Sequence, residues 1–272
     1  MSAGRAAPAA FFGHGSPMIA LETNAISRAW QEAASAFPRP TSILCISAHW
    51  ETEGTTVTAM ARPRTIHDFG ASFPKALFDM QYSAPGDPAL ARRITELLAP
   101  RPVILDEQSW GLDHGCWSVL VQIYPKADIP VVQLSLDVTL TPAERLEIGR
   151  RLAPLRDDGV LILGSGNIVH NLAAMNWSHR DCAPYDWSVR FLSEIRDAVV
   201  KDEPERVAGF ARLGEDARRA APTPEHFWPL LYVLGARRPD DRVQIINDLI
   251  EHGSLAMTSL VFEAPVEARA AA

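Results

Sequence analysis

Short apolar runs alternate with stretches of helical periodicity along most of the chain, and the run at 42–49, SILCISAH, is the sharpest of them. Too short for a core helix and rich in Ile, it predicts a central strand covered on both faces. It ends on His49, followed by Trp50 and a polar run from Glu51 to Thr56. Similar runs at 9–12, 56–61, 102–105, 130–136, 159–163 and 255–262 predict further strands. Between them, 24–37 places Ile26, Trp30, Ala33 and Phe37 at helical spacing and stops at Pro38 and Pro40. Helices are expected also over 88–98, 117–124, 141–155 and 185–200. Thr141, Pro142 and Glu144 supply a cap, a first-turn proline and a capping box for the third of these. A last helix is expected to open at Thr223-Pro224, with His226 in its first turn. Strands alternating with helices predict a single α/β domain with a central mixed, largely parallel sheet flanked by helices. Its core spans about 8–263, with 264–272 a frayed tail.

Composition narrows the class of partner. The chain has 272 residues, 47% of them hydrophobic, 22% charged, and a net charge of -7. No basic face is available for nucleic acid or an anionic membrane, so a small molecule is the expected partner. Three cysteines, Cys45, Cys116 and Cys182, form no C-x-x-C pair, which argues for reduced thiols and a cytoplasmic setting. The first residues run straight into Gly13-His14-Gly15 without the separate apolar region of a signal peptide. No run approaches the roughly 18 apolar residues that suggest a membrane span.

Chemistry gathers at the ends of the predicted strands, where ligands bind in open α/β sheets. His49 ends one strand, and His14 follows another between two glycines. The run at 159–163 leads into Gly164-Ser165-Gly166-Asn167 and then His170. This segment is neither a nucleophile elbow nor a dinucleotide loop, since the latter would need Gly where Val169 stands. Its glycines are expected to let the backbone approach a ligand or metal. His114 sits in Leu112-Asp113-His114-Gly115 at a helix start, placed to donate a hydrogen bond to substrate or oxygen, and Glu225 precedes His226. A long Pro-rich loop at 62–88 carries His67 and Asp68 and suits a pocket wall. His179 and His252 fall in polar loops and are expected to be solvated. Imidazoles from several loops suit Fe, Zn, Cu or Ni, yet their spacing alone names no metal.

Longer motifs carry a more specific signal. GHGSPM at 13–18, SAHW at 47–50, TIHDFG at 65–70, YSAPGDP at 82–88, WGLDHG at 110–115, SGNIVHNL at 165–172 and TPEHFWPLLYVLGA at 223–236 resemble the DOPA 4,5-dioxygenase type of class III extradiol ring-cleavage dioxygenases. The resemblance extends from about residue 11 to 262. It implies an enzyme that opens a catechol ring with O2 at a mononuclear non-haem metal. Residues matching His14, His49 and His226 would hold the metal, Fe(II) in active enzymes, and an all-histidine set would also accept Zn(II). His170 would be a further ligand or the acid/base, and His114 a second proton donor. His67, Asp68 and Trp50 would contact substrate, with an Arg for the carboxylate of an acid substrate. The alternative is a zinc-dependent hydrolase on the same scaffold.

Overall fold

The computed structural model describes residues 6–265. The expected runs fold as β1 (Ala9–Gly13), β2 (Ser42–Thr52), β3 (Thr55–Thr58), β4 (Val103–Asp106), β5 (Val131–Asp137) and β6 (Val160–Gly166). The C-terminal part adds β7 (Arg242–Ile246), β8 (Ile250–Glu251), β9 (Leu255–Ala256) and β10 (Ser259–Glu263). Eight strands form one sheet in the order β4-β3-β5-β2-β6-β1-β10-β7, while β8 and β9 pair apart. The central four, β5, β2, β6 and β1, are mutually parallel. β3 runs against β5, and β10 runs against both β1 and β7. The sheet is therefore mixed, with a parallel centre.

Side chains alternate across a strand, and the sequence uses both faces. Phe11, Leu44, Ile46 and Ile162 enter one core, while Phe12, Ile43, Cys45 and Leu161 enter the other. The helices are α1 (Ala25–Ser35), α2 (Lys75–Phe78), α3 (Pro88–Leu98), α4 (His114–Ile123), α5 (Pro142–Leu152), α6 (Asp186–Val200), α7 (Pro204–Ala208), α8 (Glu215–Ala220) and α9 (Trp228–Ala236). α1 and α4 cover the second core; α3, α5, α6 and α9 cover the first. α9, WPLLYVLGA, is buried from Pro229 to Ala236, as a helix apolar on every side must be. No helix among the described residues is long and apolar enough to cross a membrane.

Several expected boundaries move, each for a local reason. α4 begins at His114 rather than 117 because Asp113 caps it, accepting from the Cys116 amide at 3.1 Å. α9 begins at Trp228 rather than near Thr223. The Thr223 hydroxyl donates to the Glu225 carboxylate at 3.0 Å, and 224–227 forms a turn closed by Phe227 N–H on the Pro224 carbonyl at 3.0 Å. The run at 255–262 is broken into β9 and β10. β7 was not anticipated, because this edge strand is only partly buried and alternates weakly. Of the expected tail, 266–272 lies outside the described residues.

α9 also packs closely on a neighbouring helix, at its crossing with α5. A Cβ on Gly149 would lie 2.1 Å from the Tyr232 carbonyl oxygen and 2.8 Å from Gly235 Cα. Gly149→Ala must therefore push the two helices apart, at a cost of about 1–3 kcal/mol. Chemical denaturation should show that loss as a lower midpoint; an unchanged midpoint would refute the close crossing.

Candidate metal centre

Neighbouring parallel strands bring their carboxyl ends to one edge, and three of them deliver the site. His14 directly follows β1, and its amide donates to the Gly166 carbonyl at 3.1 Å. β2 pairs with β6 as far as Ser47, opposite Ser165, and its register against β5 shifts between Ile46 and Glu51. His49 lies in this released stretch, a local irregularity of the kind that re-aims a side chain. His170 follows β6 and makes an isolated bridge with Leu255.

Two glycines let the remaining histidines close in. A Cβ on Gly166 would sit 2.1 Å from the His226 carbonyl oxygen, which accepts the Asn167 amide at 2.9 Å. A Cβ on Gly115 would meet Ser47 Oγ at 2.4 Å and the His49 ring at 2.8 Å. The glycine at 166 thus makes room for the turn bearing His226, where the sequence had suggested room for a ligand.

Hydrogen bonds fix which nitrogen two of the imidazoles present. Ser165 Oγ donates to the Gly115 carbonyl at 2.5 Å, so toward His14 Nδ1, 2.9 Å away, it accepts. Glu225 Oε1 is 3.0 Å from His226 Nδ1, and Asp68 Oδ2 is 3.5 Å from His49 Nδ1. A carboxylate only accepts, so in His14 and His226 Nδ1 carries the proton and Nε2 keeps its lone pair; Asp68 stands beside His49 Nδ1 without a hydrogen bond to it. His14 Nε2 and His49 Nε2 then face each other at 3.1 Å. With a proton on His49 Nε2 the contact is a hydrogen bond; with the proton on Nδ1, two lone pairs meet and a cation between them would relieve the repulsion. Nitrogens each about 2.1 Å from one metal would stand roughly 3 Å apart at a near-right angle, so the pair fits a shared ion. Ligand atoms of His14, His49 and His226 all lie within 4.8 Å of one another.

Electrostatics keeps these rings neutral. Burial, followed by the neighbouring histidines, holds His14 and His226 well below the ordinary imidazole range. Burial and then His114 lower His49 to about 3, although Asp68 opposes this. Burial lowers His170 to about 4. Its ring stacks on His226, with centroids 3.5 Å apart and planes within 6°. Asp68 is also 2.9 Å from His114 Nδ1 and accepts the His114 amide at 2.9 Å. Burial opposes its charge, but the contacts with His114 and His49 prevail and hold the carboxyl below its usual range.

A cavity of about 360 Å³ opens onto this cluster, lined by His49, His114, His170 and His226 and walled by Phe69, Phe73, Met175 and Trp177. His14 is fully buried. The structure does not bring Trp50 or His67 to the cavity. Trp50 stacks on Trp110 at 5.6 Å beside a separate depression. His67 donates from Nε2 to the Met80 carbonyl at 2.9 Å and packs on Phe69. Asp68 reaches two histidines in place of the cavity. Sequence reasoning missed Arg180, Glu22 and Glu251 on the lining, and also His252, whose expected solvation gives way to a bond from Nδ1 to the Asn176 carbonyl at 2.9 Å. Their only signal was their occurrence in polar loops far apart in the chain.

Known proteins share this architecture. Residues 9–263 match the family described as the catalytic LigB subunit of aromatic ring-opening dioxygenase. The 4,5-DOPA dioxygenase extradiol of Escherichia coli K12 is 49% identical over 255 residues, 93% of each chain. That of Beta vulgaris is 37% identical over 259 residues, 93% of this chain and 95% of its own. The crystal structure of an uncharacterized protein from Escherichia coli K12 aligns with a TM-score of 0.81 at 43% identity, covering 94% of this chain and 99% of the other. From the first residue of β1 to the last of β10, the chain belongs to the family of catalytic LigB subunits of aromatic ring-opening dioxygenases.

Proposed function

We propose that the protein is an extradiol dioxygenase, opening the ring of a catechol with O2 at a mononuclear Fe(II) held by His14, His49 and His226. The observation that carries this is the convergence of three buried imidazoles beside an aromatic cavity, their ligand atoms within 4.8 Å of one another and Nδ1 committed in His14 and His226. The ion would give catechol oxygens and O2 a common centre and make the hydroxyls more acidic.

The protein's own groups account for the rest. Phe69, Phe73 and Met175 present apolar surface to a ring and exclude water. His170 is neutral at cellular pH and lines the cavity outside the His14, His49 and His226 group, so it is placed to take a hydroxyl proton and return it. His114 lines the cavity, with Asp68 Oδ2 2.9 Å from its Nδ1. That place suits the role of second proton donor that the resemblance implies. The relatives compared above are dioxygenases by name, and no feature of the site favours the zinc hydrolase. Three free cysteines, Cys45 and Cys116 among them buried, support a cytoplasmic setting.

The reading is tested by oxygen uptake of protein loaded anaerobically with Fe(II) and given a panel of catechols including DOPA. Uptake matched by a yellow ring-opened product is expected; its absence in a fully loaded sample would refute the assignment. His170→Ala should lower kcat by about 10²–10⁴ while bound iron, measured by elemental analysis, stays near the wild-type level. Loss of iron would make His170 a ligand instead. The neutral histidines also bear on stability. His14, His49, His170 and His226 all have folded-state pKa values below the unfolded value of about 6.5. Below that pH the unfolded chain binds more protons, so stability is lost as pH falls. Metal-free protein should show a thermal midpoint that drops steadily from pH 7 to pH 5; a flat profile would mean the rings are not buried neutral.

A further inference from the structure

The cavity has a charged rim that the ring-opening chemistry does not use. Arg180 donates from Nε to Glu251 Oε1 at 2.7 Å and from Nη1 to Glu22 Oε2 at 2.9 Å. Glu22 precedes α1, Glu251 ends β8, and Arg180 lies between β6 and α6. All three line the same cavity as the histidines. The sequence led us to expect an arginine for a substrate carboxylate. Here the guanidinium is already shared by two carboxylates, and one positive charge against two negative leaves the rim anionic. Trp177 lies on the same lining and is 68% exposed, an aromatic face free to meet a cation.

We propose that Glu22, Arg180 and Glu251 form a specificity site that selects catechols bearing an ammonium group on the side chain over catechols whose side chain ends in a carboxylate alone. The inference rests on the dioxygenase reading. An ammonium gains attraction from Glu22 and Glu251 and from the Trp177 face. A lone carboxylate must compete with both glutamates for a committed Arg180. A zwitterion such as DOPA falls between the two.

The test compares kcat/KM of the Fe(II)-loaded enzyme for dopamine, DOPA, 3-(3,4-dihydroxyphenyl)propionate and uncharged 4-methylcatechol. The ratio of dopamine to the propionate is the readout. Both values come from one sample, so differences in folding yield or metal loading between variants cancel. A ratio of about 10 is expected, with DOPA intermediate, falling as salt is raised. Glu22→Gln and Glu251→Gln should each lower it by about 3–10-fold, the scale of one partly screened charge. Arg180→Gln should raise it. A merely structural cluster would change all four substrates together and leave the ratio where it was, which overturns the proposal, as does a preference for the propionate. Opening of 4-methylcatechol with a ratio near unity would sink this inference alone. Failure to open any catechol, 4-methylcatechol included, would sink the dioxygenase reading and this inference with it.

Discussion

An imidazole can hold a metal only if it is neutral and turned to present a lone pair, and the arrangement of the site follows from that requirement. Burial supplies neutrality, and acceptors supply orientation: Ser165 for His14 and Glu225 for His226, with the Asp68 charge beside His49. None of the acceptors comes from the element that carries its histidine, apart from Glu225. The rings are therefore correct only when β1, β2, β6 and the long loop are all in place. Metal binding and the completed fold are one condition rather than two.

Much of this was legible in the chain. A buried run that stops at His49, and a second that passes through small residues toward His170, mark strand ends in a parallel sheet. Such ends are where ligands gather. His14 between glycines was found by the same reasoning and His226 from an expected helix start, though the structure leaves it in the turn before α9; the fold brings their rings together. Periodicity could not show why the glycines were there. Gly115 and Gly166 matter because of what lies against them across the fold, the His49 ring and the His226 carbonyl.

What stayed hidden has a common cause. Local patterns report which face of an element is buried; Arg180, Glu22 and His252 belong to loops with no such face, and Glu251 ends a two-residue strand too short to show one. Their position depends on how segments more than a hundred residues apart meet, as in the pair of Arg180 with Glu22. His67 and Asp68 show the limit from the other side. They are adjacent in sequence and were expected to act together on substrate, yet His67 binds the Met80 carbonyl and Asp68 binds histidines. The long loop was correctly seen as a wall; the direction of each side chain within it was not.

That loop joins two tasks that are separate in most descriptions of a pocket. Asp68, which lies beside His49 and contacts His114, is bonded directly to Phe69, which forms part of the cavity wall. Cavity wall and histidine cluster thus share one short stretch of backbone. If the two occupants, ring and metal, are coupled through these neighbours, reciprocity requires that each alter the affinity for the other by the same factor. The wall would then be a lever as well as a boundary.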